Sequence, residues 1–310
     1  MGYRPSARQL EYFLALAEIC HFGRAAERCN VSQPTLSAQF KLLEEQLGVA
    51  LLDRGGGDIC LTPAGEALLP LAHQVLEALD EIVAAASARI GNLGGLVRLG
   101  VAPTFGPYFM PHILPRLKSA FPGLELYIRE ERPVQLLPDL LSGALDCVLC
   151  PAPFASDQVE SEVICTEELL LALPSDHPLG GVSTVPLEAL RGERLLTLGR
   201  GHRLYEDGQA LAQAAGALFR EDYEGTSLDA LRQMVSIDMG LALFPAGYIA
   251  SEFGKETGVL LKAIRDFPMR RQIVLGWRKA SARSPHYRTI LALSRTTARD
   301  MQVRGIVSEN

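Results

Sequence analysis

Residues 8–54 read RQLEYFLALAEICHFGRAAERCNVSQPTLSAQFKLLEEQLGVALLDR, and their apolar side chains recur at helical spacing. This spacing predicts one helix around Leu10–Leu16 and another around Leu36–Leu47, with a shorter helix over Gly23–Arg28 between them. Two apolar segments within residues 49–62 then flank a run of three glycines, which predicts a two-stranded hairpin with a glycine-rich tip. Three helices followed by such a hairpin form a winged helix-turn-helix.

The third predicted helix has the composition of a helix that reads DNA. Ser32 is a good N-cap and Pro34 is tolerated in the first turn, so the start of this helix is well specified. Short polar side chains point outward, as contacts to base edges and phosphates require, although an ordinary capped surface helix can look the same. The candidate DNA-binding residues, including arginines outside the helix, are Arg24, Ser32, Gln33, Pro34, Thr35, Ser37, Gln39, Lys41 and Arg54.

An Ala- and Leu-rich segment of about seven turns follows, from Pro63 to Ile90, and predicts a long helix. Its apolar positions favour pairing with a copy of itself over packing across its own domain. They are Leu68, Leu71, Val75, Leu79, Ile82 and Ala86. The helix is expected to end at the glycine-rich residues 91–95, which have the composition of a C-cap and a hinge.

Beyond the hinge the pattern alternates between strands and helices, which indicates βαβ units with parallel strands. The number of strands favours two α/β subdomains joined by crossing strands, with a ligand cleft between them. Strands are predicted over 96–102, 124–130, 146–150, 168–173, 194–198, 241–244, 259–261 and 271–277, and helices over 107–121, 135–143, 205–215, 228–237 and 285–304. The predicted domains are 1–62 for DNA binding, 63–91 as linker helix, 92–95 as hinge and 96–310 for regulation, with subdomain I at about 96–166 and 270–310 and subdomain II at about 167–269.

Composition limits the class of protein. The chain has 310 residues, 48% of them hydrophobic and 21% charged, which excludes a disordered or fibrous protein. No apolar run is long enough to span a bilayer, and no secretory leader is evident at the start, so we expect a cytoplasmic protein without a membrane partner. Six scattered cysteines fit a reducing compartment.

The net charge of −6 argues against a broadly basic surface. Residues 1–62 alone hold six Lys and Arg against seven Asp and Glu. Because phosphate contacts supply much of the affinity for DNA, each copy should bind weakly and depend on several copies binding together.

From residue 8 to residue 65 the chain resembles the DNA-binding domain of LysR-type transcriptional regulators. The motifs are Ala25-Ala26, Ser32 to Ser37, the LE and LG pairs at 43–44 and 47–48, Leu52 with Arg54, and LT-x-AG at 61–65. The resemblance implies an α winged helix-turn-helix, a long linker helix and an α/β effector domain of two Rossmann-like subdomains, arranged as in periplasmic binding proteins. It implies as partners double-stranded DNA, further copies in a homodimer or homotetramer, a small-molecule effector, and RNA polymerase if the protein is an activator.

The effector half is similar to the peroxide-sensing branch of this family over residues 106–130, 135–149, 198–202, 226–235 and 240–246. In that branch a reactive cysteine follows a Gly-His pair, and its disulfide partner lies about nine residues later. Here Arg203 follows Gly201-His202 and no cysteine occurs up to Gly216, so this thiol–disulfide mechanism is not carried over. Pro133 also stands where that branch has a threonine, although Thr104 retains a second one.

Arg203, at the start of a predicted helix, indicates a different chemistry. With the helix amides, His202, and Thr104 across the cleft, its charge would suit a carboxylate or another small anion. Alternatively, Arg203 is solvated or paired with Glu206 or Asp207. The candidate effector-binding residues are Pro103, Thr104, His202, Arg203, Thr226 and Ser227.

The cysteines of this half are expected mainly in the core. Cys147 and Cys150 are separated by an odd number of positions in a predicted strand, so their side chains point to opposite faces and cannot form a disulfide. Cys165, near a predicted subdomain boundary, is the candidate for redox sensing by another thiol.

Two other functions compete with the regulator. A response to oxidative stress could proceed through a different cysteine or without thiol chemistry. A solute-binding or enzymatic α/β protein would need a leader or a catalytic cluster, and the six histidines show no ligand spacing such as HExxH. We therefore predict a non-enzymatic regulator without cofactor or metal.

Overall fold

The computed structural model describes residues 3–53, 59–87, 95–154, 156–221, 225, 227–253 and 258–309. The chain divides into two compact units, the first comprising residues 1–92 with 141–144 and the second residues 93–140 with 145–310. Five predicted features lie outside the described residues: Arg54, the glycine-rich tip, the end of the linker helix at 88–91, most of the hinge, and Thr226. The boundaries proposed for the linker and the subdomains stay predictions.

The first unit is a winged helix-turn-helix, as predicted. Its helices are α1 (Ala7–Ile19), α2 (Phe22–Arg28), α3 (Gln33–Leu47) and α4 (Pro63–Ser87), and its wing strands are β1 (Leu52–Asp53) and β2 (Cys60–Leu61). The wing strands pair antiparallel, with Leu52 opposite Leu61. Phe13, Leu36 and Phe40 are fully buried between the helices, and the small side chains of Ala25 and Ala26 let α2 approach them closely.

Local capping explains where these helices begin. Ser6 and Gln9 form a capping box at α1, and the Ser32 side chain accepts a hydrogen bond from the Thr35 amide at α3. Gly48 ends α3 in the left-handed conformation, with φ of 73°. The sequence prediction used Ser32 for the start of α3, whereas the capping box at α1 was not part of it.

Helix α4 has two apolar faces within the first unit. Ala72 is buried, and Leu68, Leu69 and Leu76 pack against the core of the helix-turn-helix. A second set of large apolar side chains is exposed along the helix: Leu71, Val75, Leu79 and Ile82, at 56%, 48%, 39% and 65%. One face therefore contacts its own domain, while the other is left uncovered in the single chain, and pairing with a copy stays a prediction.

The second unit is an α/β domain. Its first half comprises β3 (Gly95–Val101), α5 (Gly106–Ala120), β4 (Leu124–Glu130), α6 (Pro133–Ser142) and β5 (Cys147–Pro151). Strand β3 pairs in parallel with both β4 and β5, as the βαβ pattern predicts. The remaining elements are β6 (Val159–Pro174), β7 (Thr184–Pro186), β8 (Arg194–Leu195), α7 (Arg203–Ala215), β9 (Leu218–Phe219), α8 (Leu228–Ser236), β10 (Ala242–Pro245), α9 (Ala246–Glu252), β11 (Val259–Arg265), β12 (Arg270–Arg278), α10 (Ser284–Asp300) and β13 (Ile306–Ser308).

The long strands β6 and β12 cross between two separate hydrophobic cores, one around Val97 and Trp277 and the other around Leu171 and Phe244. Strand order β4-β3-β5-β12-β6-β11-β7 describes the main path of the sheet. Two cores linked by crossing strands agree with the predicted pair of α/β subdomains.

The sequence prediction differs from the structure in several details, and it did not include β7, β9 and α9. Strand β6 begins at Val159 rather than at Glu168, and β12 pairs antiparallel with β5 and β6, so the sheet is mixed. The first part of β6 was missed because it contains several glutamates, at 160, 162, 167 and 168, and charged residues are depleted in strands. Strand β13, which pairs with β6, was not predicted.

None of the helices in the described part of the chain is both long enough and apolar enough to cross a membrane.

Candidate DNA-binding and effector sites

The outer face of α3 is polar and accessible. Gln33, Thr35, Gln39 and Lys41 are exposed and Ser37 is half-buried, while Leu36, Phe40 and Leu43 on the opposite face are buried. Pro34 is exposed as well, in the first turn. The helix therefore presents amide, hydroxyl and ammonium groups together, which are groups that contact base edges and phosphates.

Two of the predicted DNA-binding residues, Ser32 and Thr35, stabilise the start of α3. The hydroxyls of Ser32 and Thr35 lie 2.7 Å apart, and the Ser32 hydroxyl also accepts from the Thr35 amide. Sequence reasoning missed a similar cap at α2, where His21 Nδ1 accepts a hydrogen bond from the Arg24 amide. The signal for it was a polar side chain directly before the apolar helix start.

Three of the five lysines and arginines that the structure describes in this unit are paired with acids. Arg8 pairs with Glu11, Arg28 with Glu18, and Lys41 Nζ lies 3.5 Å from Glu45 Oε1. Arg24 is exposed and makes no ion pair with the residues that the structure describes. Few basic side chains described in this unit are without an ion pair, which agrees with the weak local positive charge expected from the sequence.

The effector unit contains a cavity of about 470 Å³ between α6, the end of β5 and the start of α7; we call it the cleft cavity. Its walls come from both predicted subdomains. They are mostly apolar and carry one basic and one acidic side chain: Pro133, Val134, Leu137, Pro151, Pro153, Phe154, Gly201, Arg203 and Glu206. Among the predicted effector residues in the described chain, Arg203 alone lines it.

Gly201 brings the two walls of the cleft cavity together. Its φ is +88°, and a Cβ on it would lie 2.6 Å from Val134 Cγ1. Only glycine fits both the conformation and the contact. Close packing and backbone conformation therefore explain the glycine of the Gly-His pair.

Arg203 is paired within its own helix. Its Nε lies 3.2 Å from Oδ1 of Asp207, one of the two acids that the sequence offered as alternative partners. Burial raises the pKa of Asp207, and the Arg203 charge opposes that shift. Because the Arg203 side chain is still 34% exposed, it can face the cavity while it compensates Asp207.

His202 lies beneath the cavity rather than in its wall. It is 1% exposed, and neither ring nitrogen has a hydrogen-bond partner among the described residues. Burial, together with the nearby Arg132 charge, lowers the pKa of His202 to about 4. The imidazole is therefore neutral at pH 7 and supplies no positive charge for an anion.

Thr104 takes part in a buried network instead of facing the cleft. Its hydroxyl accepts from Arg271 Nη1 at 2.9 Å and its carbonyl accepts from Arg271 Nη2 at 2.8 Å. Arg271 also pairs with Glu167 at 2.8 Å, and the other Glu167 oxygen accepts from the Gly247 amide at 2.8 Å. Sequence reasoning missed this network, although charged residues inside two long apolar strands were a signal for it.

The other predicted effector residues are not in the cavity wall. Pro103 is half-buried, and the Ser227 side chain caps α8 by accepting from the Ala230 amide.

The cysteines of the effector unit are poor candidates for redox chemistry in this conformation. Cys147, Cys150 and Cys165 are fully buried, and burial raises the pKa of each thiol. A buried, protonated thiol is a weak nucleophile. Within the described chain there is also no group of three or more His, Cys, Asp or Glu residues that could hold a metal ion.

Comparison with known proteins identifies the class. Residues 7–66 match the bacterial regulatory helix-turn-helix domain of the lysR family, and residues 91–299 match the LysR substrate binding domain. The chain belongs to the LysR family of DNA-binding transcriptional regulators.

Within this family, the chain is similar to OxyR proteins. It is 40% identical to the DNA-binding transcriptional dual regulator OxyR of Escherichia coli K12, over 90% of this chain and 92% of that one. It is 38% identical to the hydrogen peroxide-inducible genes activator of Haemophilus influenzae, over 81% and 83% of the two chains.

The structural relatives agree. Full-length OxyR of Pseudomonas aeruginosa with a Cys-to-Asp substitution matches with a TM-score of 0.76 and 32% identity, over 94% of this chain and 97% of that chain. A cysteine mutant of OxyR from Corynebacterium glutamicum matches with a TM-score of 0.65 and 30% identity, over 97% and 94%. The predicted family and fold class are therefore confirmed.

Proposed function

We propose that this regulator reads double-stranded DNA with the exposed face of α3, that α4 pairs copies into a homodimer or homotetramer, and that a small molecule in the cleft cavity controls it. If it activates transcription, RNA polymerase is a further partner. The observation that carries the DNA-binding part is the exposed polar surface from Gln33 to Lys41 on a helix whose other side is buried.

Genome-wide footprinting tests the DNA-binding part and supplies the target sites. Gln33→Ala should then weaken binding to a recovered site and relax preference at one base position, because a good base contact contributes about 1–3 kcal/mol of discrimination. The matched control is Gln46→Ala, an exposed glutamine near the other end of α3. Equal loss in both variants would contradict the assignment of Gln33.

The effector that fits the cleft cavity is a small molecule with an apolar body and one anionic group. Six of the nine described lining residues are Pro, Val, Leu or Phe, and Arg203 is the one basic residue among the nine. A volume of about 470 Å³ lies in the usual range for small-molecule sites.

Calorimetry with short aliphatic carboxylates and their uncharged amides tests this effector class. We expect the carboxylates to bind more tightly than their amides, and Arg203→Ala to remove that difference. Arg200→Ala is the control, since Arg200 is exposed and does not line the cavity. If Arg203→Ala leaves the affinity for every carboxylate unchanged, Arg203 is not the anchor.

A second candidate function is a transcriptional response to peroxide, which is favoured by the similarity to hydrogen peroxide-inducible genes activators. Footprints and transcript levels with and without hydrogen peroxide test it. An unchanged footprint together with unchanged transcription would exclude it. A response that persists in Cys165→Ser would exclude sensing by that thiol.

A further inference from the structure

A second cavity, of about 510 Å³, lies where strand β6 changes its partners; we call it the β6 cavity. Strand β12 pairs with β6 up to Glu168, whereas β10 pairs with it from Leu169 and β11 from Leu171. Partner strands that diverge at one point leave a gap that backbone cannot fill. The cavity is lined by Glu168, Leu170, Ser183, Thr184, Ala246, Ile249, Ala250, Leu261, Ala263 and Arg304.

Two charged groups of the β6 cavity have no partner in the described chain. Glu168 is half-buried and Arg304 is exposed, and neither makes a side-chain hydrogen bond or ion pair with the described residues. A Cβ on Gly305 would lie 3.1 Å from Glu168 Oε2, so the carboxylate lies against the residue next to Arg304. One free anion and one free cation therefore face the same space.

The rest of the wall is suited to an apolar body. Leu170, Ile249 and Leu261 are partly exposed to the cavity, and alanines between them leave room beside those side chains. The hydroxyls of Ser183 and Thr184 are the uncharged polar side-chain groups of the wall. A ligand that satisfies all of these groups needs an ammonium, a carboxylate and a short hydrocarbon chain.

We propose that the β6 cavity binds an apolar α-amino acid. The α-carboxylate pairs with Arg304, the α-ammonium pairs with Glu168, and the aliphatic side chain packs on Leu170, Ile249 and Leu261. Charge-assisted hydrogen bonds at both ends fix the orientation, and each contributes more than a neutral hydrogen bond does. The β6 cavity shares no lining residue with the cleft cavity, so the two sites are separate.

Calorimetry on the full-length Arg203→Ala variant, which lacks the proposed carboxylate anchor of the cleft cavity, tests the proposal with three probes: L-leucine, 4-methylpentanoate, which lacks the ammonium, and isopentylamine, which lacks the carboxylate. We expect L-leucine to bind, and each of the other probes to bind at least about tenfold more weakly, because each loses one of the two charge-assisted hydrogen bonds. Failure of L-leucine to bind, or equal binding of either half-molecule, would overturn the proposal.

Variants then locate the site. Arg304→Gln and Glu168→Gln should each weaken L-leucine binding by about tenfold or more, whereas Arg299→Gln, an exposed arginine on α10, should not. Arg203→Ala in the cleft cavity should leave L-leucine binding unchanged, so failure of the proposed effector site and failure of this one give different results. L-leucine binding that depends on Arg203 and not on Arg304 would place the ligand in the cleft and overturn the inference.

Discussion

Arg271 and Glu167 form an ion pair inside the effector unit, with Arg271 Nη2 2.8 Å from Glu167 Oε2 and both side chains at most 1% exposed. The guanidinium donates two further hydrogen bonds to Thr104, and the second carboxylate oxygen accepts one from the Gly247 amide. Thr104 follows β3, whereas Gly247 lies at the start of α9. The pair therefore ties the two subdomains together at the crossing strands.

Glu167→Gln should destabilise the effector unit by about 3–5 kcal/mol, because it leaves the Arg271 charge buried without compensation. Fluorescence of Trp277, the chain's single tryptophan and a buried residue of this unit, reports the unfolding in denaturant. Glu168→Gln is the control, since that neighbouring carboxylate is half-buried and makes no ion pair within the described chain.

Removing the uncompensated charge should restore part of that loss. The double variant Glu167→Gln, Arg271→Met is expected to unfold at a higher denaturant concentration than Glu167→Gln alone. A double variant less stable than the single one would show that the cost comes from lost packing and not from the buried charge.

Stability of the effector unit should fall by about 2 kcal/mol between pH 7 and pH 5 through His202 alone. The pKa of His202 is lowered by burial from 6.5 to about 4 in the folded chain. A lowered pKa means that the folded state resists protonation of His202. The contribution of His202 to the free energy of unfolding is therefore fully present above about pH 6.5 and is lost as the pH falls towards 4.

Denaturant unfolding at several pH values, followed by Trp277 fluorescence, measures this dependence. His202→Asn should show a shallower loss of stability towards acid pH than the unmodified chain, whatever its stability at pH 7. The exposed His112→Asn variant should keep the original slope. Identical slopes in all three proteins would contradict the role given to His202.

Glu45→Gln should tighten DNA binding several-fold, because it releases Lys41 from an exposed ion pair at 3.5 Å. The slope of log K against log salt should steepen by about one unit if Lys41 then contacts a phosphate. Fluorescence anisotropy over a salt series measures both quantities. Glu66→Gln in the first turn of α4 makes the same charge change elsewhere, and an equal effect there would point to net charge alone.

Leu79→Lys combined with Ile82→Lys should reduce the assembly to monomers, since it places two charges in the exposed apolar face of α4. Sedimentation equilibrium gives the oligomeric state. Binding to a site with two half-sites should weaken by tenfold or more, because joint binding of two copies is lost. Glu66→Lys adds positive charge away from this face and should leave the assembly intact; a dimer that survives the double change would contradict pairing through α4.

Much of the first unit could be predicted from sequence because its determinants are local. Ser32 caps a helix that starts one residue later, and Leu36, Phe40 and Leu43 share a face through the helical repeat. The pairing of Arg203 was also predictable as one of two alternatives, since Asp207 lies one helical turn away. Interactions within a few residues follow from the geometry of a single element.

The effector site could not be predicted in the same way, because it is formed by contacts between residues that are far apart in the sequence. Arg271 and Glu167 are 104 positions apart, and Thr104 is a further 63 positions before Glu167, so their meeting required the crossing of two strands and the packing of two subdomains. Because of this packing, Thr104 contacts Arg271 and does not line the cleft cavity, contrary to the expectation from sequence. His202 is buried for the same reason. Sequence determined the family, the helix-turn-helix and the absence of a cysteine at position 203. The tertiary structure alone decided which charges are compensated and which face a cavity, because burial and pairing depend on residues brought together from distant parts of the chain.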